Sequence, residues 1–523
     1  MILLFDMLYK QIWTRTEGRK KRKDSLMKKF FPLFFLVLFF SLSSCSTSPP
    51  KETFTLTVFH TNDHHGHTLA YDSDGTRIGG LAERLFLINK LREESAGICD
   101  LCLLLDAGDV TTGTLFSDTF LAEPDWKVYG RYYDALAPGN HDFDFPLDSM
   151  LRLIDSFNVP VISANVFDRR TDTLLFPPYK IFRKDGWSVA VIGVSHPETP
   201  ILSTLGNDER LEFLSAVEAA EIYAHQLKND HDLLIILSHL GEDERLAKKV
   251  KGIDLIIGGH SHSPLKKPVK KKRALIVNAG YGGRYVGYMT LRLERKGRSV
   301  SVEMTDYELI PVSADIPPDK EVKSILQPYV AAFGDQGKTV VGEAGESFQR
   351  TPLKGPLSSS NLGNLVSDAY RFATDADFAF VNRGGLRADL DKGPVTIDEL
   401  HAVLPFDNTL IVFEIKGSHV LKIIENLAPG RSTNDGLLFP SNLQIERTQS
   451  GKPAVHSLQG KPILPDKLYT VAVGSFIARG GDGHKVFLTF KKKYNTMIRT
   501  SDALRRYIEA KKTVFPDNQS RLK

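Results

Sequence analysis

Aspartate, histidine and asparagine gather in five short clusters, four at the ends of apolar runs and one on a turn. These residue types are ligands for hard-to-borderline divalent cations. The clusters are His60-Thr61-Asn62-Asp63-His64-His65-Gly66, Asp106-Ala107-Gly108-Asp109, Gly139-Asn140-His141-Asp142-Phe143-Asp144, Ser238-His239-Leu240-Gly241 and Gly258-Gly259-His260-Ser261-His262. A histidine met singly is more often a surface or core residue than a ligand. Recurrence at successive strand ends reverses that expectation, and the donors are too many for one ion.

The elements that must carry these clusters are legible as apolar runs. Phe54–Phe59, Leu101–Leu105, Val159–Ile162, Val189–Val194, Leu233–Leu237, Leu255–Ile257 and Ala274–Val277 read as strands, with helical patterns at Leu81–Leu91 and Ala216–Leu227. Continuous apolar runs imply strands buried on both faces, which leaves the strand ends for polar chemistry. This predicts an α/β layered domain. A Pro-containing break at Val312–Asp319 precedes a predicted helix over Lys320–Phe333 and a turn at Gly334-Asp335. A second apolar-periodic region starts near Val340, with a helix near Leu362–Phe372 and a capping box in Thr396-Ile397-Asp398-Glu399.

Taken in order, the clusters resemble the calcineurin-like metallophosphoesterase domain of the 5′-nucleotidase family, and the resemblance runs over residues 53–523. It implies a four-layer αββα metallophosphoesterase sandwich followed by a second α/β C-terminal substrate-binding domain. It also implies two divalent metal ions, of which Zn, Mn, Co and Mg all suit the donor set. Asp63, His65, Asp109 and His262 would hold one ion, and Asp109 would bridge to another completed by Asn140, His239 and His260. Some members carry Gln where His262 stands. Two such ions and two carboxylates leave a site of about +2 facing a phosphate dianion, and the ions make a water nucleophilic near neutral pH. His141 and Asp144 match the family's catalytic pair, in which the carboxylate fixes the imidazole tautomer. Asp142 takes a slot that is Glu in some relatives, and no role is assigned to it.

In the C-terminal part, Leu404-Pro405-Phe406-Asp407-Asn408 and Phe476-Ile477-Ala478-Arg479-Gly480-Gly481-Asp482-Gly483 resemble the family's two nucleotide signatures. The resemblance implies that Phe406 and Phe476 sandwich a base, with Asn408 on its edge and Asp482 on the ribose. Asn382-Arg383-Gly384-Gly385-Leu386-Arg387 resembles Asn-Gly-Gly-Gly-Ile-Arg, so Asn382 and Arg387 join the substrate site, Arg387 gripping phosphate oxygens. Two departures stand out: Arg383 replaces the first Gly, and Pro356 stands where relatives commonly have a second Arg, leaving Arg350 or Arg383 to compensate. The implied activity is removal of the 5′-phosphate from nucleoside monophosphates. The same site would serve a 2′,3′-cyclic nucleotide or a UDP-sugar or dinucleotide pyrophosphate bond, and a reading of another class is a noncatalytic nucleotide-binding surface lipoprotein.

The chain has 523 residues, 42% hydrophobic and 25% charged, which suits two folded domains. Its net charge of +4 is concentrated at one end: residues 1–44 hold nine Lys/Arg against three Asp/Glu, leaving 58 basic and 60 acidic residues after them. A near-neutral body gives no electrostatic reason for a nucleic-acid polymer as partner, and no obligate protein partner is predicted. Lys28 and Lys29 followed by apolar Phe30 to Phe40 read as an export signal too short to span a bilayer comfortably, with Met27 a candidate start. Leu42-Ser43-Ser44-Cys45 resembles the bacterial lipoprotein box, which implies a lipid on Cys45 and an envelope protein facing the periplasm or the surface. The expected organisation is a signal over 1–44, a tether over 45–52, a metallophosphoesterase domain over 53–311, a linker helix and hinge over 312–338 and a nucleotide-binding domain over 339–523. Cys99 and Cys102 are expected to pack, with a local disulfide open to them in an oxidising compartment.

Overall fold

The computed structural model describes residues 52–522, apart from 74–75, 204–209, 298, 354–357, 407, 426–435, 448–452 and 458–459. These residues belong to one compact unit. The expected export signal, Cys45 and Pro356 lie outside the described residues.

Two sheets face each other in the N-terminal part. The first runs in the order Ser299–Pro311, Tyr285–Lys296, Thr53–Thr61, Leu101–Asp106, Ala135–Leu136. Thr53–Thr61 pairs parallel with Leu101–Asp106 and antiparallel with Tyr285–Lys296. The second runs Val269–Lys271, Ala274–Val277, Leu255–Gly258, Leu233–Ser238, Trp187–Val194, Tyr179–Lys184, parallel across its four inner strands. The strand period of two sorts the side chains. Leu103 and Leu105 join Val189, Val191, Ile235 and Ile257 in the core between the sheets. Leu104 points outward to a core with Leu85, Trp126 and Met150, while Ala190, Ile192 and Ile236 point the other way toward Ala220 and Leu246. Helices Leu81–Glu94, Glu123–Tyr132 and Leu147–Ser156 cover one outer face, and Ala216–Gln226 and Asp243–Lys249 the other. The predicted αββα sandwich is therefore the observed one.

The apolar run Val159–Ile162 is not a strand. Pro160 has no N–H to give to a ladder, and the segment meets the first sheet only through an isolated bridge between Leu136 and Val161. Cys99 and Cys102 form a disulfide at the start of the Leu101–Asp106 strand, and Cys102 also packs on the outer core. The helix expected over Lys320–Phe333 is present, but Val322 and Leu326 sit in the outer core of the first sheet, so it is part of that layer rather than a free connector.

The C-terminal part is built on a sheet ordered Leu438–Ser441, Phe378–Asn382, Leu468–Gly474, Thr409–Lys416, Lys493–Arg499. Helices Asn361–Thr374 and Thr500–Lys511 share one core with it, through Leu362, Val366, Phe380, Val471 and Leu504. The helix Ile397–Val403 carries the capping box read from the sequence, Thr396 and Glu399 each bonding the other's backbone N–H.

Candidate active site

Both sheets deliver their strand ends to one place. Thr53–Thr61 and Leu101–Asp106 run into Asp63 and Asp109, and Leu233–Ser238 and Leu255–Gly258 run into His239 and His260. The turns that follow are tight. Asp63 N–H donates to Gly108 O at 2.8 Å, and His65 N–H to Asp109 O at 2.9 Å. Asp63, His65, Asp109, His260 and His262 all adopt left-handed backbone, with φ between 50° and 68°. Such strain in residues other than glycine collects at functional sites, where surrounding contacts over-determine it. Gly139 is required by packing: a Cβ there would lie 2.2 Å from Asp109 Oδ1.

The side chains form two groups that share Asp109. Asp63, His65, Asp109 and His262 offer ligand atoms within 4.8 Å of one another, and so do Asp109, His239 and His260. Asn140 joins the second group, its Oδ1 2.9 Å from His260 Nδ1. This is the division expected from the sequence.

The donor set fits divalent cations. His239 donates from Nδ1 to Ala107 O at 2.6 Å, which leaves Nε2 bare. That nitrogen lies 3.0 Å from Asp109 Oδ2, so a cation or a proton can stand between them. His65 likewise donates from Nδ1 to Thr112 O, and its Nε2 lies 2.9 Å from His262 Nε2. Without metal, protons stand where cations would. Burial works against a charged His239, but Asp109 and Asp63 overcome it and raise its pKa to about 10. Burial, then His239 and His196, lower His260 to about 3, leaving a neutral imidazole ready to ligate. Arg387 donates to His262 Nδ1 at 3.1 Å, which keeps the His262 proton on Nε2.

His141 lies beside this group on a short 3₁₀ turn, His141–Phe143. Its Nδ1 bonds Asp144 Oδ2 at 2.7 Å. Burial opposes the charged imidazole, but Asp144 and Asp109 outweigh it and hold the His141 pKa above its ordinary value. Asp142, for which no role is expected, is 1% exposed and accepts four backbone N–H bonds, from Gly139 and Asp109 through Oδ2 and from Val110 and Thr111 through Oδ1. It ties the asparagine turn to the Asp109 loop. A second overlooked network lies behind the Asp63–His65 turn, where His64 accepts from Arg84 and bonds Asp125, and Thr68 and Ser117 donate to the same carboxylate. Tyr281, also unforeseen, stacks on His262 at 5.0 Å and 15°. An acid on a turn, an acid on a helix and a tyrosine among glycines carry no local mark of these partners.

A cavity of about 650 Å³ joins Asp109, Asn140, His141, His260 and His262 to Asn382, Arg387, Phe406, Asn408, Phe476 and Asp482. A narrower cleft continues between Phe406 and Phe476, lined by Asn382 and Asn408. Asn382 Nδ2 donates to Asp482 Oδ2 at 2.9 Å. Asn408 Oδ1 accepts from Ser475 Oγ and Phe476 N–H, so this residue braces the Phe476 turn. Of the two candidate arginines, Arg350 is committed to Arg387 O at 2.7 Å, whereas the Arg383 side chain lines the cavity without a hydrogen-bond partner among the described residues.

Residues 56–264 match the model of the calcineurin-like phosphoesterases, and residues 339–490 that of the 5′-nucleotidase C-terminal domain. A 5′-nucleotidase of Vibrio parahaemolyticus is 31% identical, with 90% of this chain and 92% of that protein aligned. The chain belongs to the 5′-nucleotidase family. Protein UshA of Yersinia enterocolitica is 30% identical over 88% of this chain and 91% of its own. The crystal structure of a 5′-nucleotidase precursor from Thermus thermophilus superposes with a TM-score of 0.78 at 30% identity, covering 90% of this chain and 99% of that one. A sulfate thiohydrolase, SoxB, also from Thermus thermophilus, shares the fold at 18% identity and a TM-score of 0.72. Within the 5′-nucleotidase family the Asp/His cluster marks this chain as a metal-dependent phosphoesterase.

Proposed function

We propose that this protein removes the 5′-phosphate from nucleoside monophosphates, using two divalent ions held by Asp63, His65, Asp109 and His262 and by Asp109, Asn140, His239 and His260. The observation that carries this reading is the single cavity that joins both ligand groups to the Phe406–Phe476 cleft. When bound, the ions would activate water and neutralise phosphoryl oxygens. The chain's own groups do the rest. Phe406 and Phe476 take the base, Asn382, Asn408 and Asp482 orient the nucleoside, and Arg387 holds the phosphate. His141, its Nδ1–H directed at Asp144, presents Nε2 toward the reacting phosphate and gives a proton to, or hydrogen-bonds, the departing oxygen. Residues 53–311 and 339–523 act as the two domains, with 312–338 between them. The chain is exported on its N-terminal signal and anchored by lipid on Cys45.

The test is phosphate release from AMP by metal-depleted protein reconstituted in turn with Mn²⁺, Zn²⁺, Co²⁺ and Mg²⁺, with 2′,3′-cyclic AMP and UDP-glucose alongside. Activity on AMP restored by two ions per chain is expected. Faster turnover of the diester or the UDP-sugar would give the substrate preference to those bonds, and full activity in excess chelator would end the dimetal reading.

A further inference from the structure

The Phe406 ring lies nearly parallel to the His141 imidazole, with centroids 4.8 Å apart and planes 12° apart. At its Nδ1 edge the His141 imidazole is held by a hydrogen bond to Asp144 Oδ2 at 2.7 Å. That bond fixes which nitrogen carries the proton and where Nδ1 points, and the His65 ring lies tilted against the same imidazole at 5.4 Å. Only 14% of the His141 side chain is exposed, and the phenyl face is the contact that lies flat on the imidazole and so sets the tilt of its plane. Phe406 belongs to the C-terminal part, just beyond the capped helix Ile397–Val403, whereas His141 belongs to the metal-binding layers. The same phenyl ring lines the cleft shared with Phe476.

We propose that Phe406 is a positioning residue for His141 as well as a wall of the base cleft, so that a base seated against Phe476 fixes Phe406 and, through it, the plane of the catalytic imidazole. The inference rests on the nucleotidase reading above and deepens it. Selectivity for nucleotides over smaller phosphate esters then arises partly in turnover and not only in binding. An offset-stacked aromatic pair corresponds to a rate effect of about 3- to 10-fold if the stack is fully formed in the transition state.

The experiment compares Phe406→Ala with Phe476→Ala in the metal-loaded full chain, on AMP and on ribose 5-phosphate, which has the same ester and no base. Phe406→Ala is expected to lower kcat on ribose 5-phosphate by about 3- to 10-fold more than Phe476→Ala does, with recovery in Phe406→Tyr. The losses of Phe476→Ala should fall mainly on KM for AMP. A readout independent of turnover is the His141 ring C–H resonance, assigned with His141→Gln. Phenyl ring current shifts it upfield, and Phe406→Ala should move it back while Phe476→Ala does not. Equal losses of the two variants on ribose 5-phosphate, a faster Phe406→Ala, or a His141 resonance indifferent to Phe406 would each overturn the proposal. If the parent protein releases no phosphate from AMP, the nucleotidase reading fails, and the resonance still decides whether Phe406 stacks on His141.

Discussion

Asp142→Asn is a one-atom change with a large expected effect. Oδ2 accepts from Asp109 N–H at 3.0 Å and Gly139 N–H at 2.8 Å, and Oδ1 from Val110 N–H at 2.9 Å and Thr111 N–H at 3.1 Å. Whichever oxygen becomes NH₂, a donor is turned on two amide donors, and a pair of bonds is lost in a site that is 1% exposed. Hydrogen bonds to a charged group contribute about 1.5–3 kcal/mol each, so the pair amounts to about 3–6 kcal/mol. Asp109 and Asn140 take their positions from the two loops that these bonds join. Loss of a partner that orients ligands typically weakens metal binding about 10- to 100-fold, and the rest of the energy should appear as lower stability. The variant should bind Mn²⁺ or Zn²⁺ about 10- to 100-fold more weakly in competition with a chromophoric chelator, and melt at lower temperature with and without metal. Parent-like affinity and stoichiometry in a variant that melts lower would show that Asp142 is a fold-stabilising residue with no hold on the ligands.

Asp106 gives a pH-dependent prediction. Burial raises its pKa from 3.8 to about 6, although Thr61 Oγ1 and Gly108 N–H donate to it. The folded state therefore keeps the proton longer than the unfolded chain, and stability falls as pH rises from about 4 to about 6, by at most about 3 kcal/mol. Asp106→Asn should remove that slope: urea unfolding of metal-depleted protein at pH 4 and pH 7 should show the variant gaining on the parent by up to this amount, and a constant difference would count against the buried-acid argument. Arg383→Gly should raise KM for AMP by about 10-fold, the scale of one charge-assisted contact, with little change in kcat, because its side chain lines the cavity with no hydrogen-bond partner among the described residues. An unaltered KM would mean that Arg383 takes no part in replacing the arginine absent at position 356.

The sequence by itself determined the sandwich and the gathering of Asp and His at its strand ends, because both are written in local pattern. Runs such as Leu233–Leu237 and Leu255–Ile257 are apolar on both faces, so they must be buried strands, and polar residues directly after them must sit at strand ends. Tertiary structure decided what depends on distance between remote segments. Val159–Ile162 has a strand's composition but finds only a two-residue neighbour, Ala135–Leu136. Asp142 reads as an ordinary turn acid until folding brings the Val110 and Thr111 amides, more than thirty residues earlier, within about 3 Å of it. Phe406 meets His141 across 265 residues of chain only because folding brings both to the wall of one cavity. Periodicity reports which side of an element is buried, whereas these contacts turn on separations of a few tenths of an ångström between elements, set by the packing of the whole molecule.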